Sequence, residues 1–262
     1  MRSFDYIESG KTLLTPHTTS LLAAIHEAKG RQSIQTTIRP DILGTLVAVA
    51  RIQSTDASNR IEGISTSDSR LNDLVSEKVT PRNRNEEEIA GYRDALSVIH
   101  ESHDYIPITP NVILQLHRDL FRHTPLTFAG HFKDSDNVII ERDAHGTSTV
   151  RFAPPSALVT PELIERACSA YTQAIRDGHT DPLLAIAMFI LDFICIHPFN
   201  DGNGRMSRLL TLLMLYRNGY MVGKYISIEH LIEQSKSTYY EALDASTQGW
   251  DDNANDYAPF TN

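Results

Sequence analysis

Between two apolar runs the chain reads His197-Pro198-Phe199-Asn200-Asp201-Gly202-Asn203-Gly204-Arg205-Met206-Ser207-Arg208, which gathers a base, a carboxylate, two glycines and two guanidinium groups in one short segment. Each has a chemistry of its own. His197 takes up a proton near neutral pH. Gly202 and Gly204 permit backbone conformations closed to other residues, so successive N–H groups can face one concavity and hold a phosphate. A helix starting at that point adds free N–H donors and a favourable dipole. Arg205 and Arg208 are three apart, so on a helix they share a face and can grip neighbouring phosphates with planar, permanently charged forks. Asp201 offers a hard oxygen to a magnesium ion that bridges phosphate oxygens. Pro198 and Phe199 read as structural, with Phe199 an apolar anchor for the loop.

The elements that must position this loop are helical. Pro182 to Ile196 is apolar on all sides except for Asp192, which describes a helix enclosed by others, and a second apolar run from Met206 to Tyr216 stops at Asn218-Gly219. Helix, tight loop, helix is the local plan. Leu21, Leu22, Ile25 and His26 open an amphipathic run, and Ile42, Leu43, Leu46, Val47 and Ala50 have the spacing of a buried helical stripe. Strand-like alternation is confined to Asn137–Glu141 and Asp143–Arg151, around an Ala144-His145-Gly146 turn, which suggests a short hairpin. The expected fold is all-α with one small β-hairpin. The polar stretch from Ser65 to Asn85 places a boundary between an N-terminal helical region, residues 1–85, and a second unit, residues 86–262.

Composition narrows the function. Hydrophobic residues make up 41% and charged residues 22%, ordinary for a globular chain, and 24 Lys plus Arg against 33 Asp plus Glu leave a net charge of -9. General affinity for a nucleic-acid backbone is not expected. Cys168 and Cys195 lie in apolar stretches without ligand spacing and read as buried, reduced thiols. No signal-peptide core opens the chain, and no apolar run reaches the length of about eighteen residues that a membrane span needs, so a cytoplasmic location is the default.

At the His197–Arg208 loop the sequence resembles the Fic family, whose signature His-Pro-Phe-x-Asp/Glu-Gly-Asn-Gly/Lys-Arg-x-x-Arg is matched at every specified position. Glu88-Ile89-Ala90-Gly91-Tyr92 with Ala95-Leu96 is similar to the family's first helix, Leu116-His117 with Leu120-Phe121 to its second, and Phe152-Ala153-Pro154-Pro155 to the segment after its hairpin. The resemblance implies a protein adenylyltransferase that moves AMP from ATP to a Ser, Thr or Tyr hydroxyl of a target protein, self-modification included. His197 would be the general base, Asp201 the magnesium ligand, and Asn200, Gly202, Asn203, Gly204, Arg205 and Arg208 nucleotide-binding residues. Gly204, where the Doc-like branch has Lys, favours AMP transfer over transfer of a terminal phosphate. UMP and phosphocholine transfer stay open, with ATP the default donor. Gly130-His131-Phe132-Lys133 followed by Val138, Ile139 and Ile140 resembles the family's flap, which aligns the target chain by backbone pairing. Lys133 stands where the family usually has Arg. Tyr239 and Tyr240, with Leu243, resemble the segment that walls the adenine pocket.

Ser58-Asn59-Arg60-Ile61-Glu62-Gly63 resembles the Ser/Thr-x-x-x-Glu-Gly/Asn motif of autoinhibited Fic proteins. Ser58 and Glu62 are four apart and share a helix face, which Gly63 is suited to end. The expectation is that Glu62 pairs with Arg208 and competes with the nucleotide for its guanidinium. The same glutamate removes AMP in some relatives, so an AMP-removing hydrolase is the alternative, and an ATP-binding regulatory module without turnover is the non-enzymatic one. The residues up to Asn262 still look like folded sequence, which suggests that the natural chain continues, in the manner of relatives that carry a winged-helix DNA-binding domain.

Overall fold

The structure is a computed structural model that describes residues 2–38, 40–142 and 148–261. In chain order its helices are α1 (Tyr6–Thr12), α2 (Pro16–Ile38), α3 (Pro40–Ile61), α4 (Asp68–Val75), α5 (Arg84–Ser102), α6 (Pro110–Leu120), α7 (Thr160–Asp177), α8 (Pro182–Ile196), α9 (Asn203–Arg217), α10 (Ile228–Gln234), α11 (Lys236–Thr247) and α12 (Ala258–Thr261). Between α6 and α7, β1 (Ile139–Arg142) pairs antiparallel with β2 (Ser148–Phe152). The Ala144-His145-Gly146 turn lies outside the described residues. The fold is thus helical, as expected, and among the described residues no helix is long and apolar enough to cross a membrane.

Local chemistry sets the helix ends. The Asn83 side chain accepts from the Glu86 N–H at 3.0 Å to start α5, and Asp181 accepts from the Leu183 N–H at 2.9 Å ahead of Pro182 to start α8. Helix α8 is the centre of the core: Leu184, Ala185, Met188, Phe189, Leu191, Phe193 and Ile196 are all buried, with α7 and α9 packed beside it. Helix α5 packs against α6 at Gly91, where an added Cβ would overlap the Leu120 carbonyl. Cys168 and Cys195 are buried and free, and burial pushes the Cys168 thiol up to about 12.

Asp192, the one polar interruption of α8, has a structural explanation at both ends of the chain. It is fully buried and accepts from Arg2 Nη2 (3.0 Å), Tyr6 Oη (2.8 Å), Trp250 Nε1 (2.6 Å) and Tyr257 Oη (2.8 Å). Four donors and one permanent positive charge satisfy a carboxylate that burial alone would drive toward protonation. The N- and C-terminal segments are tied to the back of the central helix in this way.

Two expectations need correction. The stripe Ile42–Ala50 is buried only at its end: Ala50 is 1% exposed, whereas Ile42 and Leu46 are 42% and 40% exposed, because α3 meets α5 and α10 along its C-terminal half. The polar stretch 65–85 is not a plain separator. It contains α4, whose Leu71, Leu74 and Val75 close a small apolar cluster with Ile89 of α5, so the packing runs across residue 85.

Candidate active site

Helix α8 ends at His197, which takes the left-handed conformation (φ 49°) although it has a side chain. Pro198 cannot continue the helix, and the left-handed turn, a conformation that costs about 1–2 kcal/mol for such a residue, swings the imidazole out of the helix into a cavity of about 250 Å³. Burial first, then the Lys133 ammonium, push the His197 imidazolium down to about 4, against the opposing pull of the Ile194 carbonyl and of Glu62. The ring is therefore neutral at pH 7 and able to accept a proton.

The loop that follows is held by its own side chains. Asn203 Oδ1 accepts the Phe199 N–H at 2.9 Å and its Nδ2 donates to the Phe199 carbonyl at 2.8 Å. Gly202 has φ 83° and caps α9. Phe199, fully buried, stacks on the His117 ring at 3.7 Å. His117 Nδ1 accepts the Gly130 N–H at 2.9 Å, which leaves Nε2–H to donate to the Asp201 carbonyl at 3.0 Å. Desolvation, partly offset by that carbonyl, lowers the His117 imidazolium to about 4. His117 thus joins the catalytic-looking loop to the segment that leads into β1, a role its place on α6 did not announce.

Arg208, 5% exposed, is held through two of its nitrogens: Nε donates to Ser58 Oγ (2.8 Å), Nη2 to the Ser58 carbonyl (2.9 Å) and to Glu62 Oε1 (2.7 Å). Glu62 sits against the first turn of α9, where a Cβ on Gly204 would overlap its carboxylate. A carboxylate there stands where the anion of a ligand would be drawn by the free N–H groups and dipole of α9. Gly63 (φ 77°) follows the end of α3, and Lys236 Nζ donates to the Ile61 carbonyl at 3.2 Å.

The polar wall of the cavity is made by Glu62, His197, Asn203, Gly204, Ser207 and Arg208; the other wall by Phe152, Ile194, Cys195, Tyr239, Tyr240, Leu243, Asp244 and Thr247. Tyr240, Leu243, Asp244 and Thr247 are spaced as one face of α11, so the helical period starting from Tyr240 could have found the last two.

Other residues are placed elsewhere. Arg205 does not share a wall with Arg208: its guanidinium is 1% exposed, 2.7 Å from Glu88 Oε2 and against the Phe121 ring. Three residues along a helix is a 60° offset, enough to send one arginine into the protein and the other into the cavity. Asn200 is exposed and donates to Asp134 at 3.3 Å. Lys133, expected on a flap, is buried, its Nζ on the Ile196 carbonyl (3.2 Å) and Asn137 Oδ1 (3.1 Å), and burial lowers its ammonium to about 8. Val138 is 53% exposed. Asp201 lies on the loop outside the cavity wall, its carboxylate 46% exposed, accepting the Gly202 N–H at 2.6 Å and facing Arg84 at 3.6 Å and Arg205 at 3.8 Å. Among the described residues no three His, Cys, Asp or Glu side chains cluster as a metal site. Asp201 is a partly exposed carboxylate paired with Arg84 and Arg205, and one carboxylate is enough for magnesium, which takes its other ligands from phosphates and water.

The Fic/DOC family pattern matches residues 107–215. A Fido domain-containing protein of Dictyostelium discoideum is 37% identical over 90 residues, 33% of this chain and 58% of that protein. A protein adenylyltransferase Fic of Nematostella vectensis is 24% identical over 202 residues, 73% of this chain and 42% of its own length. In both, the match spans less than two thirds of the relative. Among solved structures, a Fic family protein from Desulfovibrio desulfuricans superposes with a TM-score of 0.74 at 24% identity, covering 95% of this chain and 70% of that one. A Fic domain-containing signaling protein from Bacteroides thetaiotaomicron gives 0.73 at 23% identity, covering 93% and 90%. The residues that match the Fic/DOC family pattern include both helices that carry His197 and Arg208, α9 as far as Leu215, and the loop between them.

Proposed function

We propose that the protein transfers AMP from ATP to a hydroxyl group of a protein, itself or another, and that Glu62 restrains it. The observation that carries this reading is the Glu62 carboxylate lodged between Arg208 and Gly204, in the same cavity that His197 lines. It occupies the anion position of α9, so a phosphate and Glu62 are alternatives there.

In the productive arrangement, α3 withdraws, Arg208 and the N–H groups of α9 take the phosphates, and Tyr239 and Tyr240 flank the base. Neutral His197 removes the proton from the target hydroxyl as its oxygen attacks the α-phosphorus; the bond from that phosphorus to the β-phosphate bridge breaks, and pyrophosphate leaves. Asp201 would hold magnesium, which neutralises charge on the phosphates. Arg205 supports the loop from below through Glu88. The strand of residues 139–142, preceded by Val138, offers backbone groups to an extended target, with Lys133 fastening its base to the end of α8.

Calorimetric titration with magnesium and ATP tests the reading: Glu62→Gly binds ATP more tightly than wild type, and Arg208→Ala loses that gain. Equal affinity of wild type and Glu62→Gly would remove the competition between Glu62 and phosphate.

A further inference from the structure

Helix α3 is held at a second buried polar point, one turn before Ser58. Ser54 is 1% exposed, and its hydroxyl lies 2.8 Å from Glu229 Oε2 and 2.9 Å from Ser227 Oγ. Tyr92 of α5 donates to Glu229 Oε1 at 2.9 Å, and Ser227, which caps α10, lies 3.3 Å from Oε2. Glu229, Tyr92 and Ser227 are 1%, 0% and 2% exposed. Ser58, one turn further along α3, accepts from Arg208 Nε at 2.8 Å. Glu229 is thus a carboxylate whose hydrogen-bond donors are hydroxyl groups from α3, α5 and the α10 cap.

A buried carboxylate is costly once its donors leave. We propose that Glu229 is a positioning residue that anchors α3 against the core through Ser54, one turn from Ser58, so that the Glu62–Arg208 contact persists. Glu229 touches no part of the cavity wall; it acts by fixing where the α3 backbone lies. This rests on the reading of Glu62 as a competitor of phosphate.

The test compares ATP affinity by calorimetry in a His197→Ala background, which prevents turnover, for Ser54→Ala, Glu229→Gln, Glu62→Gly and the double variant Ser54→Ala/Glu62→Gly. Ser54→Ala removes one hydroxyl from a charged hydrogen bond and should tighten ATP binding about tenfold. Damage to the fold would weaken binding instead, so the direction separates positioning from mere structure. In the double variant Ser54→Ala adds nothing, because the brake is already gone. Amide hydrogen exchange across residues 50–61 should quicken in Ser54→Ala while α8 stays protected, a readout that serves even if Glu229→Gln folds poorly. Unchanged ATP affinity in Ser54→Ala beside a tightened Glu62→Gly would overturn the anchor alone. No tightening in Glu62→Gly would overturn the reading of Glu62 and the anchor with it.

Discussion

Replacing His117 with Ala should cost the protein a large share of its stability, and the structure lets that cost be worked out. The ring is fully buried and stacked face to face on Phe199, so its removal leaves a cavity in a packed region, about 2–3 kcal/mol by analogy with other large-to-small core changes. It also strips the Gly130 N–H, which is buried, of its acceptor, a further loss of about 1–3 kcal/mol. The Asp201 carbonyl, in a part-buried contact, adds less. A total of about 3–6 kcal/mol stands against the roughly 5–15 kcal/mol by which domains are usually stable. Urea unfolding followed by circular dichroism reads this directly. Gln, which can accept and donate from one side chain, should recover part of it, giving the order His, Gln, Ala. A loss under about 1 kcal/mol in His117→Ala, the scale of a surface substitution, would refute the role given to this histidine.

Acid should weaken the fold between about pH 6.5 and 4. His100, His117 and His197 all have imidazolium pKa values lowered to about 4, chiefly by burial, so across that window the unfolded chain binds more protons and stability falls with pH; urea midpoints at pH 7 and 5 check the sign. The same shift predicts that transfer activity has no limb due to His197 between pH 6 and 8, which a pH–rate profile would show. Gly91→Ala should lower the melting temperature sharply, because its Cβ meets the Leu120 backbone rather than a movable side chain, a strain on the order of 1–3 kcal/mol or more. Asp192→Ala should cost about 3–5 kcal/mol by leaving Arg2 buried without its charge partner, measured by the same unfolding assay.

The helix–loop–helix around His197 was legible because its signals are local: an apolar run with no polar face, a proline stop, two glycines, and a second apolar run. The contact of Glu62 with Arg208 joins distant parts of the chain, yet four-residue spacing already put Ser58 and Glu62 on one side of a helix, and both meet the same guanidinium. What spacing cannot tell is which way a helix is turned. Arg205 and Arg208 look equivalent on paper, and Glu88, far away in sequence, is what draws Arg205 inward. Lys133 shows the same limit: a long aliphatic stem lets its cation reach a buried helix end, which spacing alone does not reveal. Helix α4 was hidden because its three apolar residues are diluted among polar ones, and only the cluster with Ile89 makes them a core. Glu229 carried no signal at all, since its partners come from three separate elements.

The most direct test of the account is covalent labelling with magnesium and ATP carrying its label on the α-phosphate or, separately, on the γ-phosphate. Wild type, Glu62→Gly and His197→Ala are incubated alone and with a cell lysate. The account predicts α-label on protein with Glu62→Gly, far less with wild type, none with His197→Ala, and no γ-label with any of them. Label from the γ-phosphate, or α-label that survives His197→Ala, would contradict it.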